Sequence, residues 1–165
     1  MSRDIQTQLV KYLRDAHAME QQSIKMLQKA EKIAGDVPLE QLFHGHLSDS
    51  EQHERYVKER LEALGERPSI VEDMAQKGTA FALGALVQVM PDTAAKLLAV
   101  AFAFESFEIA SYTMLREVAE RASDPDTVAM CDRILPVERQ AAEVIAQNFG
   151  RGVEASLSAI GVETT

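Results

Sequence analysis

Five glutamates, Glu20, Glu54, Glu105, Glu108 and Glu138, each fall within a series of apolar residues spaced three and four apart. That spacing puts each of them on the inner stripe of a predicted helix. An ionised carboxylate taken out of water carries a penalty of several kcal/mol, and a group of them adds mutual repulsion, so the cluster needs a counter-charge. Metal cations would supply it. Carboxylates bridge two hard or borderline ions, cancel their charge, and shift between one-oxygen and two-oxygen binding as the oxidation state changes. A pair of iron or manganese ions held in this way can react with dioxygen or peroxide. Glu51 and His53 are alternative ligands to Glu54 on the same helix.

Four long helices must position these groups. The first is predicted over about residues 4–34, with Leu9, Leu13, Ala16, Glu20, Ile24 and Leu27 inward, and it stops near Gly35. The second runs over about 38–64, with Phe43, Leu47, Ser50, Glu54, Val57, Leu61 and Leu64 inward. A short turn makes these two antiparallel neighbours. Residues 66–92 read as a crossover carrying a helix of its own, closed by Asp92 as an N-cap. The third helix, about 93–121, carries Glu105 and Glu108 on one face with Ala101, Tyr112 and Leu115. The fourth, about 125–149, carries Glu138 shortly after Pro136, where a kink is expected. Residues 1–150 form one domain, and 151–165 a short, loosely ordered tail. The architecture is all-α: two antiparallel hairpins joined by a long crossover, which is the ferritin-like four-helix arrangement.

Antiparallel helices bring their midpoints together, so the mid-helix ligands should meet at one level. Other chemistry is poorly represented. His44 and His46 are two apart and so do not share a helical face, and no site is expected from the pair. His17 lies one turn before Glu20 as a supporting partner or a surface residue, and Tyr112, one turn after Glu108, is read first as a core tyrosine with a satisfied hydroxyl, the alternatives being a hydrogen bond to a ligand carboxylate or a part in electron transfer. Cys131 is the only cysteine, which excludes disulfides and multi-thiolate metal sites. The net charge of −9 argues against a nucleic-acid surface and makes cations the more natural partners. The N-terminal residues lack the pattern of a signal peptide, and the apolar run at 79–90 is too short to span a bilayer, so a soluble cytoplasmic protein with no membrane partner is expected.

Three segments resemble the YciE/YciF-type family of ferritin-like proteins. They are Tyr12-Leu13-Arg14-Asp15-Ala16-His17-Ala18-Met19-Glu20, then Phe43-His44-Gly45-His46-Leu47 leading into Glu51-Gln52-His53-Glu54-Arg55, and Phe104-Glu105-Ser106-Phe107-Glu108-Ile109-Ala110-Ser111-Tyr112. The likeness spans about residues 4–150. It implies a bacterial stress-associated protein and a homodimer. The rubrerythrin-like relatives imply a single first-helix glutamate at Glu20, an E-x-x-E pair at Glu105 and Glu108, and E-x-x-H pairs on the second and fourth helices. Glu51 and Glu54 would take the second-helix positions and Glu138 the first fourth-helix position; Ala141 stands where the fourth-helix histidine would be. The implied cofactor is iron, two per chain, or manganese. The implied activity is oxidation of Fe(II) or reduction of peroxide by a non-haem di-iron oxidoreductase. The alternative is a non-enzymatic helical stress or assembly protein whose metal site is degenerate.

Overall fold

Capping residues set the helix starts. In the computed structural model, which describes residues 4–67 and 93–162, Asp4 accepts a hydrogen bond from the Gln6 amide and opens α1 (Ile5–Ile33). Asp36 accepts from Leu39 and opens α2 (Val37–Ala63), with Pro38 in its first turn. Thr93 accepts from Lys96 and opens α3 (Ala94–Arg121), so the cap falls one residue after the expected Asp92. Asp124 accepts from Thr127 and opens α4 (Pro125–Gln147), which continues through Pro136. These side chains satisfy amides that the first turn of a helix leaves without partners. Gly35 and Gly65 follow α1 and α2 with φ of 65° and 75°, the left-handed conformation that glycine adopts without a Cβ clash.

Cross-helix bonds fix the directions. His17 meets Glu54 and Ser23 meets Ser50, so α1 and α2 are antiparallel. Gln6 reaches the Ala122 carbonyl while Tyr112 reaches Glu20, so α1 and α3 are antiparallel too. Arg116 pairs with Asp132 across α3 and α4. Arg60 pairs with Asp124 and Thr127, and His53 with Glu138, across α2 and α4. It follows that α2 and α3 run parallel, as a crossover connection between the two hairpins requires. The expected crossover helix lies outside the described residues. This is the ferritin-like bundle.

The core is apolar at both ends and polar in the middle. Leu13, Val57, Leu61, Leu115 and Ile134 fill one end; Leu27, Phe43, Leu98 and Ile145 fill the other, all at most 1% exposed. By length and composition alone α3 passes for a membrane span. It packs on α1, α4 and α5 and carries two of the buried glutamates, while Phe102, Phe107 and Met114 stay exposed.

Two expectations are corrected here. The buried residues of α2 are Leu39, Phe43, His46, Ser50, His53, Val57 and Leu61, steps of four and three that alternate as far as Val57. Leu47 and Leu64 are only partly buried, and reading them as core rotates the inner stripe by one residue, exchanging His46 for Leu47 and His53 for Glu54. The C-terminal segment is also not a loose tail. It forms a further helix, α5 (Phe149–Ala159), which packs on α3. Gly152 makes the approach possible: a Cβ there would stand 2.4 Å from Leu98 Cδ1 and 3.3 Å from Ala95 Cα. The Ser156 hydroxyl accepts from the Ala95 amide at 3.0 Å, adding a second cap to the start of α3.

Candidate metal centre

All four helices of the bundle send polar groups to one level. α1 contributes Glu20, α2 contributes His46 and His53, α3 contributes Glu105 and Glu108 one turn apart, and α4 contributes Glu138. The four carboxylates are 0% exposed, and the two imidazoles are 5% and 3% exposed. Their donor atoms form two groups, His46, Glu105, Glu108 and Glu138 in one and Glu20, His53 and Glu138 in the other, each with all its atoms within 4.8 Å of one another. Glu138 belongs to both.

Hydrogen bonds account for only part of this layer. His53 Nδ1 lies 2.8 Å from Glu138 Oε1 and 3.7 Å from Glu20 Oε1, and the Tyr112 hydroxyl donates to Glu20 Oε1 at 2.5 Å. His46 Nε2 approaches Glu105 Oε1 to 2.8 Å, yet off the line that a ring N–H···O bond requires. Both nitrogens of His46, both oxygens of Glu105 and of Glu108, and one oxygen each of Glu20 and Glu138 are buried without a hydrogen-bond partner. Buried polar atoms are normally satisfied, and leaving one orphaned costs about 1–3 kcal/mol. So many orphans converging on two points fit a pair of cations.

The electrostatics agree. Burial, together with the neighbouring Glu138 charge, raises the Glu20 carboxyl well above its ordinary range; burial and the charges of Glu20, Glu138 and Glu105 do the same to Glu108. Burial pushes Glu105 up to about 7 despite the opposing influence of His46. Burial works against charge on His46, but Glu105 beside it outweighs that and raises its pKa. Without a metal, these carboxyls hold protons that free glutamates have lost. Elsewhere in the core, burial pushes the Cys131 thiol up to about 12, so it is an unreactive packing group.

The residues expected from sequence divide clearly. Glu20, Glu105, Glu108 and Glu138 meet at the polar layer, and on α2 it is His53 that joins them. Glu54, expected on the inner stripe, sits at the edge of the bundle, 21% exposed, where His17 Nε2 contacts its Oε1 at 2.7 Å. Glu51 is exposed. His17 is buried, not a surface residue. Of the expected second-helix pair only an imidazole, His53, joins the donor groups; Ser50, three residues before it, meets Ser23 at 3.4 Å.

His46 escapes sequence reasoning altogether. Spacing presents it only as a partner of His44, which is exposed and pairs with Glu31. The signal that finds it is the Leu39, Phe43, His46, Ser50, His53, Val57 alternation. His46 also faces Ala141: both line a cavity of about 340 Å³ between α2 and α4, the side from which the fourth-helix histidine is missing.

The profile of the family described as "Domain of unknown function (DUF892)" matches residues 4–158. Among solved structures, a protein of Xanthomonas campestris pv. campestris is 28% identical, with a TM-score of 0.78 over 96% of this chain and 99% of its own. The Escherichia coli stress protein YciF is 20% identical, with a TM-score of 0.77 over 92% of this chain and 98% of its own. A Bacillus anthracis structure described as ferritin-like, diiron-carboxylate proteins is 20% identical, with a TM-score of 0.74 over 90% of this chain and 99% of its own.

Proposed function

Since this chain belongs to the DUF892 family, whose description carries no activity, we propose from its own side chains that it is a dinuclear iron or manganese protein acting on dioxygen or peroxide. Glu20, His53 and Glu138 would hold one ion; His46, Glu105 and Glu108, with Glu138 shared, would hold the other. The observation that carries this reading is the position of Glu138 in both donor groups, each of which also has one imidazole. A mixed imidazole and carboxylate donor set suits iron and manganese better than calcium, which favours oxygen alone. On this reading His46, reaching in from α2, replaces the imidazole that Ala141 cannot supply from α4.

When bound, such a metal pair would supply a two-electron couple for oxidising Fe(II) or reducing peroxide. The chain's own residues bind and position. Tyr112 fixes one oxygen of Glu20 and leaves the other free to bind. The fully buried carboxylates keep bulk water from the site. Loading must displace protons from Glu20, Glu105 and Glu108, so affinity should rise with pH. Two structural neighbours, a stress protein and a set of diiron-carboxylate proteins, point the same way.

Anaerobic loading of the untagged protein with Fe(II) or Mn(II), followed by elemental analysis and anomalous diffraction, tests the proposal. Two ions per chain are expected between the helices. Glu138→Ala should lose both ions, while His46→Ala should keep the ion on the Glu20 side. Sub-stoichiometric metal in the parent protein after loading would favour the non-enzymatic alternative.

A further inference from the structure

The cavity between α2 and α4 reaches the candidate centre at His46. Its volume of about 340 Å³ lies at the small end of the range for small-molecule pockets, roughly 300–1,000 Å³. That is far above the roughly 10–15 Å³ that one water needs, so the space can take a small organic molecule. Its walls are mostly aliphatic, with Val137, Ala141 and Val144 on the α4 side, and among the described residues its polar lining is His46, Asp49 and Gln140.

That lining discriminates by charge. An anion would meet the Asp49 carboxylate and would have to shed its hydration among aliphatic walls. A metal ion in transit would need successive oxygen ligands, which aliphatic walls do not offer. We propose that this cavity is the binding site for an uncharged, largely apolar small molecule, with one end against His46 and a polar group within reach of Gln140 or Asp49. The inference rests on the dinuclear reading only for what the inner end faces. It names an organic molecule, and not only dioxygen, peroxide or Fe(II), as what the centre meets.

Straight-chain alcohols are suitable probes because their headgroup is neutral and their length is adjustable. Calorimetry on the metal-free full chain should show saturable binding of 1-hexanol, tightening about fourfold per methylene from butanol to hexanol. Hexanoate should bind at least about tenfold more weakly. Ala141→Leu should reduce hexanol affinity by about tenfold or more, and Ala141→Ser should keep it within a few fold. In protein loaded with Mn(II), with the metal content measured separately, the hexanol resonances should broaden through the paramagnetic ion.

Three results would overturn the proposal: no saturable binding to the parent protein, tighter binding of hexylamine than of hexanol, or equal affinity in Ala141→Leu. Metal content and alcohol binding are separate measurements. Failure to load Mn(II) would therefore count against the dinuclear reading alone, and loaded protein that binds hexanol without broadening would place the pocket away from the centre.

Discussion

Raising the pH should weaken the metal-free protein, and Glu105→Gln should remove much of that weakening. Glu105 is pushed from 4.5 in its unfolded reference to about 7 by burial. Between these values the folded chain keeps a proton that the unfolded chain has lost. A group of this kind stabilises fully below its unfolded pKa, and its contribution is lost as pH rises through the folded value. At 1.36 kcal/mol per pH unit, that contribution is about 3 kcal/mol. His46, raised mainly because Glu105 outweighs its burial, loses stability in the same direction, as do the raised Glu20 and Glu108. Urea denaturation of metal-free protein should therefore give a midpoint that falls from about pH 5 to about pH 8. A glutamine amide is neutral at every pH, so the variant should be more stable than the parent at the alkaline end by up to about 3 kcal/mol, roughly 6–12 °C in Tm. Saturating Mn(II) should reverse the trend in the parent, adding about 2.7 kcal/mol at a hundredfold excess over Kd. A flat or rising profile in the metal-free parent would refute the reasoning, as would a variant as pH-sensitive as the parent.

Other outcomes follow from single contacts. Tyr112→Phe removes the hydroxyl that satisfies one buried oxygen of Glu20, and should destabilise the metal-free protein by about 2 kcal/mol in urea titration. Gly152→Ala drives a methyl group into Leu98 and Ala95; it should cost about 1–3 kcal/mol and speed amide exchange across α5 before the rest of the bundle is affected. Arg60→Ala strips a 2.6 Å partner from Asp124, whose carboxyl is held below its usual range, against its burial, by the Thr127 amide and Arg60. That variant should lose about 2–3 kcal/mol at neutral pH and lose less than the parent on acidification, measured by thermal melts from about pH 7 down to about pH 3.

The helices were legible because their signals are local. Asp4, Asp36 and Asp124 sit where caps are needed, and Leu9, Leu13 and Leu27 repeat at helical spacing. Glu20, Glu105, Glu108 and Glu138 were legible because each breaks an otherwise apolar stripe. α2 was harder to read. It is polar on most of its surface, and two partly buried leucines, Leu47 and Leu64, compete with two buried histidines for the inner face. An imidazole in the core carries no hydrophobic signal, and only neighbours distant in sequence turn it inward. The same holds for α5: Gly150 and Gly152 read as breakers, whereas the close approach of Gly152 to α3 is a tertiary fact.

The α2–α4 seam is anchored unevenly along its length. Arg60 ties one end to Asp124 and Thr127, His53 ties the middle to Glu138, and beyond His46 the two helices part around a cavity. At the far end Arg151 of α5 pairs with Asp36, the N-cap of α2, at 2.8 Å, so the cavity lies between two tied ends. The two imidazoles of the donor layer are thus held unequally: His53 is fixed on Glu138, whereas His46, at the wall of the cavity, has neither ring nitrogen in a hydrogen bond.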